Sequence, residues 1–76
     1  MREKIYALLN QIRPECNFLA SEDFLADGLL ESLDIVLIVN SMEEEFGIKI
    51  DAFDIVPENF NSLDSMLELV RRNGGV

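Results

Sequence analysis

Residues 32–46 read SLDIVLIVNSMEEEF, and this stretch decides the fold class of the chain. Its apolar residues recur at helical spacing, which predicts an α-helix from Ser32 to Phe46 with one buried stripe: Ile35, Ile38, Val39, Met42 and Phe46. The apolar run 35–39 also has the β-propensity of a strand, but the helix-forming glutamates at 43–45 favour the helix. Gly47 is suited to end it, because glycine readily adopts the left-handed conformation found at helix C-termini.

Two further segments with the same periodicity lie on either side of this helix. The first covers about Arg2–Gln11 and ends before Pro14, because a proline disfavours helical backbone in the residue that precedes it. The second covers about Leu63–Arg72, with a cap at Asn61 or Ser62 and a stop at Asn73-Gly74. Their apolar stripes are Ile5, Leu8, Leu9 and Ile12 in the first, and Leu63, Met66, Leu67 and Val70 in the second.

The remaining segments have no long periodic pattern. Residues 15–31 predict a long first loop, with at most one short turn of helix, and a loop of this length in a small domain is more often functional than idle. Residues 48–50 alternate but are too short to found a sheet, and a short helix or turn is expected over about Ala52–Val56, ended by Pro57. The prediction is an all-α, up-and-down bundle of three main helices plus one short helix, as a single domain over residues 1–76. Phe18 and Ile50 are expected to join the helical stripes in the core.

Composition excludes several classes of function. Fifteen acidic and six basic residues give a formal net charge of −9, which repels nucleic acid and anionic membranes. Without histidine the chain cannot assemble a Ser-His-Asp or Cys-His site, and Cys16, as the only cysteine, cannot form an intramolecular disulfide. No calcium-loop pattern is present, so no metal site is predicted. We expect a carrier or binding protein rather than an enzyme, monomeric and cytoplasmic, with no membrane insertion.

The segment before the second helix contains the residue best placed for chemistry. Residues 27–34 read DGLLESLD, so Ser32 follows a glycine turn and stands at the mouth of the helix. The first N–H groups of a helix are unpaired and partly positive, which favours a phosphate attached there. Serine is also a preferred N-cap, and on geometry alone capping is the more common role.

This segment, with the helix that ends in MEEEF, resembles the acyl carrier protein family, whose signature is Asp-Ser-Leu at the start of an acidic second helix. The resemblance covers nearly the whole chain. It implies that Ser32 carries 4′-phosphopantetheine, transferred from coenzyme A by a phosphopantetheinyl transferase, and that the arm holds acyl or aminoacyl groups as thioesters. The implied partners are that transferase, a loading ligase and downstream acyl-processing enzymes. The Gly-Leu-Leu-Glu-Ser pattern is closer to stand-alone carriers, such as D-alanyl carriers, than to fatty-acid carriers.

The resemblance also has a departure beside the serine. Glu31 stands where the family usually has Asp, and because Glu is a poor N-cap, the start of the helix is expected to be less firmly fixed. In the family this acid assists recognition by the transferase, so the change from Asp to Glu is expected to influence which transferase acts here.

Three apolar residues of the second helix fall largely outside its core stripe: Leu33, Val36 and Leu37. They are interpreted either as part of a wide buried face or as an exposed surface for partners, ringed by Glu31, Asp34 and the glutamates Glu43, Glu44 and Glu45. In the family the second helix is the surface that partners recognise, and Leu33 matches its recognition leucine. Leu37 stands where many fatty-acid carriers have a charged residue. The alternative function is an acidic helical adaptor that binds proteins without a prosthetic group.

Overall fold

The computed structural model describes residues 2–74, which form three α-helices joined by loops and short turns. Helix α1 spans Arg2–Ile12, α2 spans Ser32–Phe46 and α3 spans Leu63–Arg72. These bounds match the predicted ones, except that α1 is one residue longer, and no strand occurs among the described residues, so the all-α prediction is confirmed. None of these helices combines the length and apolar character needed to span a membrane.

The contacts between helices define their arrangement. Arg13, just after α1, bonds Asp34 in the first turn of α2, so α2 begins beside the end of α1. Farther along, residues from both helices line one shallow groove, so α2 runs back along α1. At the opposite end, Arg2 forms an ion pair with Asp64 of α3, which places the start of α3 beside the start of α1.

The segment where a short helix or turn was expected forms a 3₁₀ turn, and no further α-helix occurs among residues 2–74. Three 3₁₀ turns of three residues each occur, at Phe18–Ala20, Ala52–Asp54 and Pro57–Asn59. The second begins where the short helix was expected, but it stops at Asp54, and Pro57 starts the next turn rather than ending this one. Proline suits that position because its fixed φ matches a helical turn and its missing N–H needs no partner there.

The helix ends are fixed by side chains and glycine. Of the two candidate caps for α3, Ser62 is the cap, because its Oγ accepts a hydrogen bond from the N–H of Ser65 at 3.1 Å. Asn61 instead accepts a hydrogen bond from the hydroxyl of Ser65. Helix α2 ends at Gly47 in the left-handed conformation (φ 64°), as predicted, and Gly74 (φ 84°) follows α3.

The buried core contains most of the predicted residues and several that were not predicted. Ile12, Ile35, Phe46, Leu63 and Leu67 are only half-buried and pack on the edge of the core. The other predicted core residues are buried: Ile5, Leu8, Leu9, Phe18, Ile38, Val39, Met42, Ile50, Met66 and Val70. The core also includes five residues beyond those predicted: Phe24, Leu30, Ile48, Phe60 and Leu69.

The long first loop is held against the bundle by its aromatic residues. The rings of Phe18 and Phe24 pack edge to face, with centroids 5.1 Å apart and both side chains buried. The N–H of Phe24 bonds the carbonyl of Asn61 at 2.8 Å, and the carbonyl of Phe24 accepts the N–H groups of Leu29 and Leu30. The chain therefore reaches the start of α2 along a fixed path.

We expect Phe24→Ala to lower the free energy of unfolding by about 3–5 kcal/mol, because it leaves a cavity and removes the aromatic pair. Leu19→Ala is the control, since Leu19 lies in the same loop but is exposed, and we expect a change within about 0.5 kcal/mol. Urea unfolding followed by circular dichroism measures both. Equal losses in the two variants would contradict the packing of the loop described above.

Candidate functional site at the start of α2

Ser32 is the first residue of α2, and its side chain is exposed to solvent. The cap position is occupied by Glu31, whose extended backbone (φ −121°, ψ 175°) precedes the helix. Among residues 2–74, the hydroxyl of Ser32 has no hydrogen-bond partner. The interpretation of Ser32 as a helix N-cap is therefore wrong, and its hydroxyl is open to solvent at the helix mouth.

The start of α2 is capped from within the helix. The N–H of Glu31 donates to Oδ2 of Asp34, in the first turn, at 2.9 Å. This bond satisfies a backbone donor at the end of the helix, as the second half of a capping box does. The expectation that Glu31 leaves this end poorly fixed is wrong, because Asp34 supplies the acceptor.

Arg13 gathers three carboxylates beside Ser32, and we call this group the Arg13 cluster (Arg13, Glu15, Glu31 and Asp34). Nε of Arg13 lies 3.0 Å from Oδ2 of Asp34, and Nη2 lies 2.9 Å from the same oxygen. Nη2 also donates to Oε2 of Glu31 at 2.8 Å, and Nη1 donates to Oε2 of Glu15 at 3.2 Å. One guanidinium thus joins the end of α1 to the residues on both sides of Ser32.

Asp34 is buried, with 7% of its surface exposed, so its predicted place on the partner-facing surface is corrected. A charged residue is rarely buried without a partner, and here Arg13 and the N–H of Glu31 supply the partners. Burial alone raises the pKa of Asp34, but the hydrogen bonds from Arg13 and Glu31 outweigh it, and the pKa lies below its usual value. Asp34 is therefore an ionised structural residue.

The pKa values of Arg13 and Glu15 are shifted by the same group of contacts. The hydrogen bond to Asp34, followed by those to Glu15 and Glu31, raises the pKa of Arg13 above its ordinary value. A hydrogen bond from its own backbone N–H, and then the one from Arg13, lower the pKa of Glu15.

Leu33, Val36 and Leu37 face solvent on α2, with exposed fractions of 79%, 54% and 51%, and we call them the α2 patch. The wide buried face, which was the alternative interpretation, is therefore wrong. Phe53, in the turn Ala52–Asp54, is even more exposed at 92%, and its N–H is held by the side chain of Asp51. The exposure of Phe53 was not predicted from the sequence.

The three glutamates at the end of α2 do not share one role. Glu44 and Glu45 are exposed, as expected for a solvated face. Glu43 is half-buried, and its Oε2 accepts a hydrogen bond from the N–H of Ile50 at 2.9 Å, so it holds the segment after the helix. Its predicted role as a freely exposed partner-binding acid is corrected accordingly.

Arg13 is a residue of this site that was not predicted. One signal was available, because Arg13 is the only basic residue between Lys4 and Lys49, in a stretch whose acidic residues all follow it. Nothing in the sequence pairs it with residues 31 and 34, which lie 18 and 21 positions away.

The site offers an exposed primary alcohol. The chain has no histidine, and the carboxylates of Glu31 and Asp34 are each bonded to Arg13 through one oxygen. Among residues 2–74, no group of three or more acidic or cysteine side chains is arranged to hold a metal ion. Comparison with family models, curated proteins and solved structures gave no match.

The pH dependence of stability tests the Asp34 ion pair. Because the folded-state pKa of Asp34 is lowered, its stabilising contribution is complete above the unfolded-state value of about 3.9 and is lost as the pH falls through the folded-state value. We expect Asp34→Asn to lower the free energy of unfolding by about 1–3 kcal/mol at neutral pH. The difference from the unaltered chain should shrink as the pH falls below about 4.

Urea unfolding at a series of pH values measures this difference. Asp64→Asn is the matched control, since it removes one carboxylate of an exposed ion pair, and we expect a much smaller loss at neutral pH. A difference for Asp34→Asn that stays constant from neutral pH to the acid limit would refute the ion-pair assignment.

Proposed function

We propose that this chain is an acyl carrier protein whose Ser32 receives 4′-phosphopantetheine from coenzyme A. The observation that carries the proposal is the exposed hydroxyl of Ser32, free of hydrogen bonds to residues 2–74, at the first position of α2. The resemblance of residues 27–34 and of the MEEEF helix end to the carrier family supports it independently. We further propose, from the Gly-Leu-Leu-Glu-Ser pattern, that the carrier works alone with an adenylating ligase, in the cytoplasm.

The surroundings of Ser32 suit a phosphodiester. The backbone N–H groups of the first helical turn have no acceptor within the helix and carry partial positive charge, which attracts phosphate oxygens. Leu33, next along the chain, is exposed, so the helix beside the hydroxyl is accessible to an enzyme. The loop before the helix is held by hydrogen bonds to Phe24, which keeps it clear of the serine.

The attachment reaction balances with coenzyme A as the donor. The oxygen of Ser32 forms a bond to the phosphorus of the pantetheine phosphate, and the bond from that phosphorus to the bridging diphosphate oxygen breaks. Adenosine 3′,5′-bisphosphate leaves, and the serine proton passes to a base of the transferase, since this chain has no histidine. When bound, the arm supplies a terminal thiol that carries an acyl or aminoacyl group as a thioester. The role of the chain is to hold and present the arm.

The α2 patch and the nearby acids define the class of partner. Three exposed apolar side chains beside the exposed carboxylates of Glu44 and Glu45 fit an apolar groove with a basic rim. The net charge of −9 steers association with such a surface. We propose that the transferase, the loading ligase and the acyl-processing enzymes all use this surface.

The alternative is an acidic helical adaptor that binds proteins without a prosthetic group. The α2 patch favours it as well, because an exposed apolar surface with an acidic border binds partners whether or not Ser32 is modified. The two functions differ only in the chemistry at Ser32, so modification of that residue separates them.

Incubation with coenzyme A and a broad-specificity phosphopantetheinyl transferase should add one phosphopantetheine, measured by intact mass, because the hydroxyl is exposed. Ser32→Ala should abolish the gain, while Ser41→Ala, on the same helix, should be modified like the unaltered chain. A chain that stays unmodified with several transferases, while still binding partners, would favour the adaptor instead.

Charge removal near the α2 patch should slow partner association. We expect the double change Glu44→Gln and Glu45→Gln to lower the association rate with the transferase several-fold at low salt, and the difference to vanish at high salt. Glu43 stays unaltered because it holds Ile50.

Stopped-flow or surface-binding kinetics would measure these rates. The control is Glu58→Gln with Glu68→Gln, which removes the same charge from two exposed positions outside α2. Equal slowing by both double variants would mean that overall charge, and not this surface, directs the encounter.

A further inference from the structure

We propose that Arg13 is the positioning residue for the acceptor hydroxyl of Ser32. The inference rests on the proposed carrier function and adds to it a residue that lies in the loop after α1. Its basis is the geometry of the Arg13 cluster, in which one side chain binds the residue before Ser32 and the residue two positions after it.

Ser32 is held in place by the backbone at the start of α2. Its side chain has no hydrogen bond among residues 2–74, so the backbone fixes the position of its Cβ, and with it the few staggered positions open to the hydroxyl. That backbone is defined on one side by the N–H of Glu31, which bonds Asp34, and on the other by the N–H of Ile35, which bonds the carbonyl of Glu31 at 3.1 Å. The backbone geometry around Ser32 therefore depends on the carboxylate of Asp34.

Asp34 is in turn held by the guanidinium of Arg13. Two nitrogens of Arg13 lie 2.9 and 3.0 Å from the same oxygen, Oδ2, that accepts the N–H of Glu31. A third contact runs from Nη2 of Arg13 to the carboxylate of Glu31. With Arg13 replaced, Asp34 would keep only one donor for a buried charge, and Glu31 would be free to move.

Arg13 is connected to the core through its backbone. Its backbone N–H bonds the carbonyl of Leu9 at 2.8 Å, which continues the hydrogen bonding of α1, and Pro14 restricts its backbone from the other side. Leu9 is fully buried, so Arg13 is mounted on the part of α1 that packs in the core. Arg13 thereby fixes the start of α2, which carries the acceptor hydroxyl, relative to the core of the bundle.

The shape of the guanidinium matters as well as its charge. Arginine presents several N–H donors in a rigid plane, so it can bind two carboxylates at once, whereas the ammonium of lysine is a compact charge on a flexible stem. Arg13→Lys should therefore keep the charge of the cluster but lose part of its geometry. This one substitution therefore separates the effect of the positive charge at position 13 from the effect of the guanidinium geometry.

The test is the rate of phosphopantetheine transfer to the full chain, with coenzyme A, a transferase and varied carrier concentration. We expect Arg13→Gln to lower kcat by about tenfold or more, with KM changed by less than about threefold, because misplacement of a reacting atom acts on the chemical step. We expect Arg13→Lys to lower kcat by at least about threefold. Arg2→Gln, which breaks the ion pair at the other end of α1, should stay within about twofold of the unaltered chain.

A second readout separates positioning from general destabilisation. Circular dichroism should show each variant folded at the assay temperature, and amide hydrogen exchange should show faster exchange at Glu31 in Arg13→Gln, with the amides of α3 unchanged. If Arg13→Gln does not fold, Arg13→Lys carries the test.

The outcomes distinguish this inference from the carrier function. Normal kcat in either Arg13 variant, on a chain that accepts the arm at Ser32, would overturn the positioning role and leave the carrier function standing. A lowered kcat in Arg13→Gln that Arg13→Lys restores fully would also overturn it, because charge alone would then suffice. Failure of the unaltered chain to accept the arm would overturn both.

Discussion

A carboxylate removed from water near the start of α2 constrains much of this small fold. Moving a charge into a protein interior costs several kcal/mol unless it is paired and hydrogen-bonded, and Asp34 has 7% of its surface exposed. Its partners come from two places, the guanidinium of Arg13 after α1 and the N–H of Glu31 before α2. The ion pair fixes where α2 begins and how that end sits against α1. Because Asp34 has to face Arg13, the rotation of α2 about its axis is set, and this rotation determines which residues of α2 face the core.

Once the start and rotation of α2 are fixed, its helical period distributes the other side chains. Ile38 and Met42 enter the core, while Leu33 and Leu37 point to solvent although they are equally apolar. The core does not need them, because the loops supply aromatic residues that complete it: Phe18, Phe24 and Phe60. The exposed α2 patch is thus a consequence of a core completed from elsewhere in the chain. A surface of this kind is available for partners without loss of internal packing.

The sequence predicted the parts of the structure that depend on local pattern. Periodicity, Pro14 and the glycines defined three helices almost to the residue, since these signals act within a few positions of one another. The burial of Phe24 and Phe60 was not predicted, because it depends on how loops fold over helices. Asp34 and Glu43 were interpreted as surface acids, since charged residues usually are, and only their distant partners show otherwise. Ser32 was singled out correctly as an exposed residue at the helix start, but the cluster that surrounds it joins positions 13 and 34 and has no local signal.

The proposed carrier role would also benefit from chemical inertness near the thioester, and two features of the composition and the contacts favour it. A thioester carried near the protein would be attacked by an activated thiol or by a carboxylate or imidazole acting as a base. The chain contains no histidine, and its one cysteine, Cys16, is half-buried, with its thiol directed to the carbonyl of Leu29 at 3.8 Å. The carboxylates of Glu31 and Asp34, which flank the serine, are each bonded to Arg13 through one oxygen. Since the ion pairs that hold Ser32 also keep these carboxylates occupied, placement of the arm and protection of its cargo would depend on the same residues.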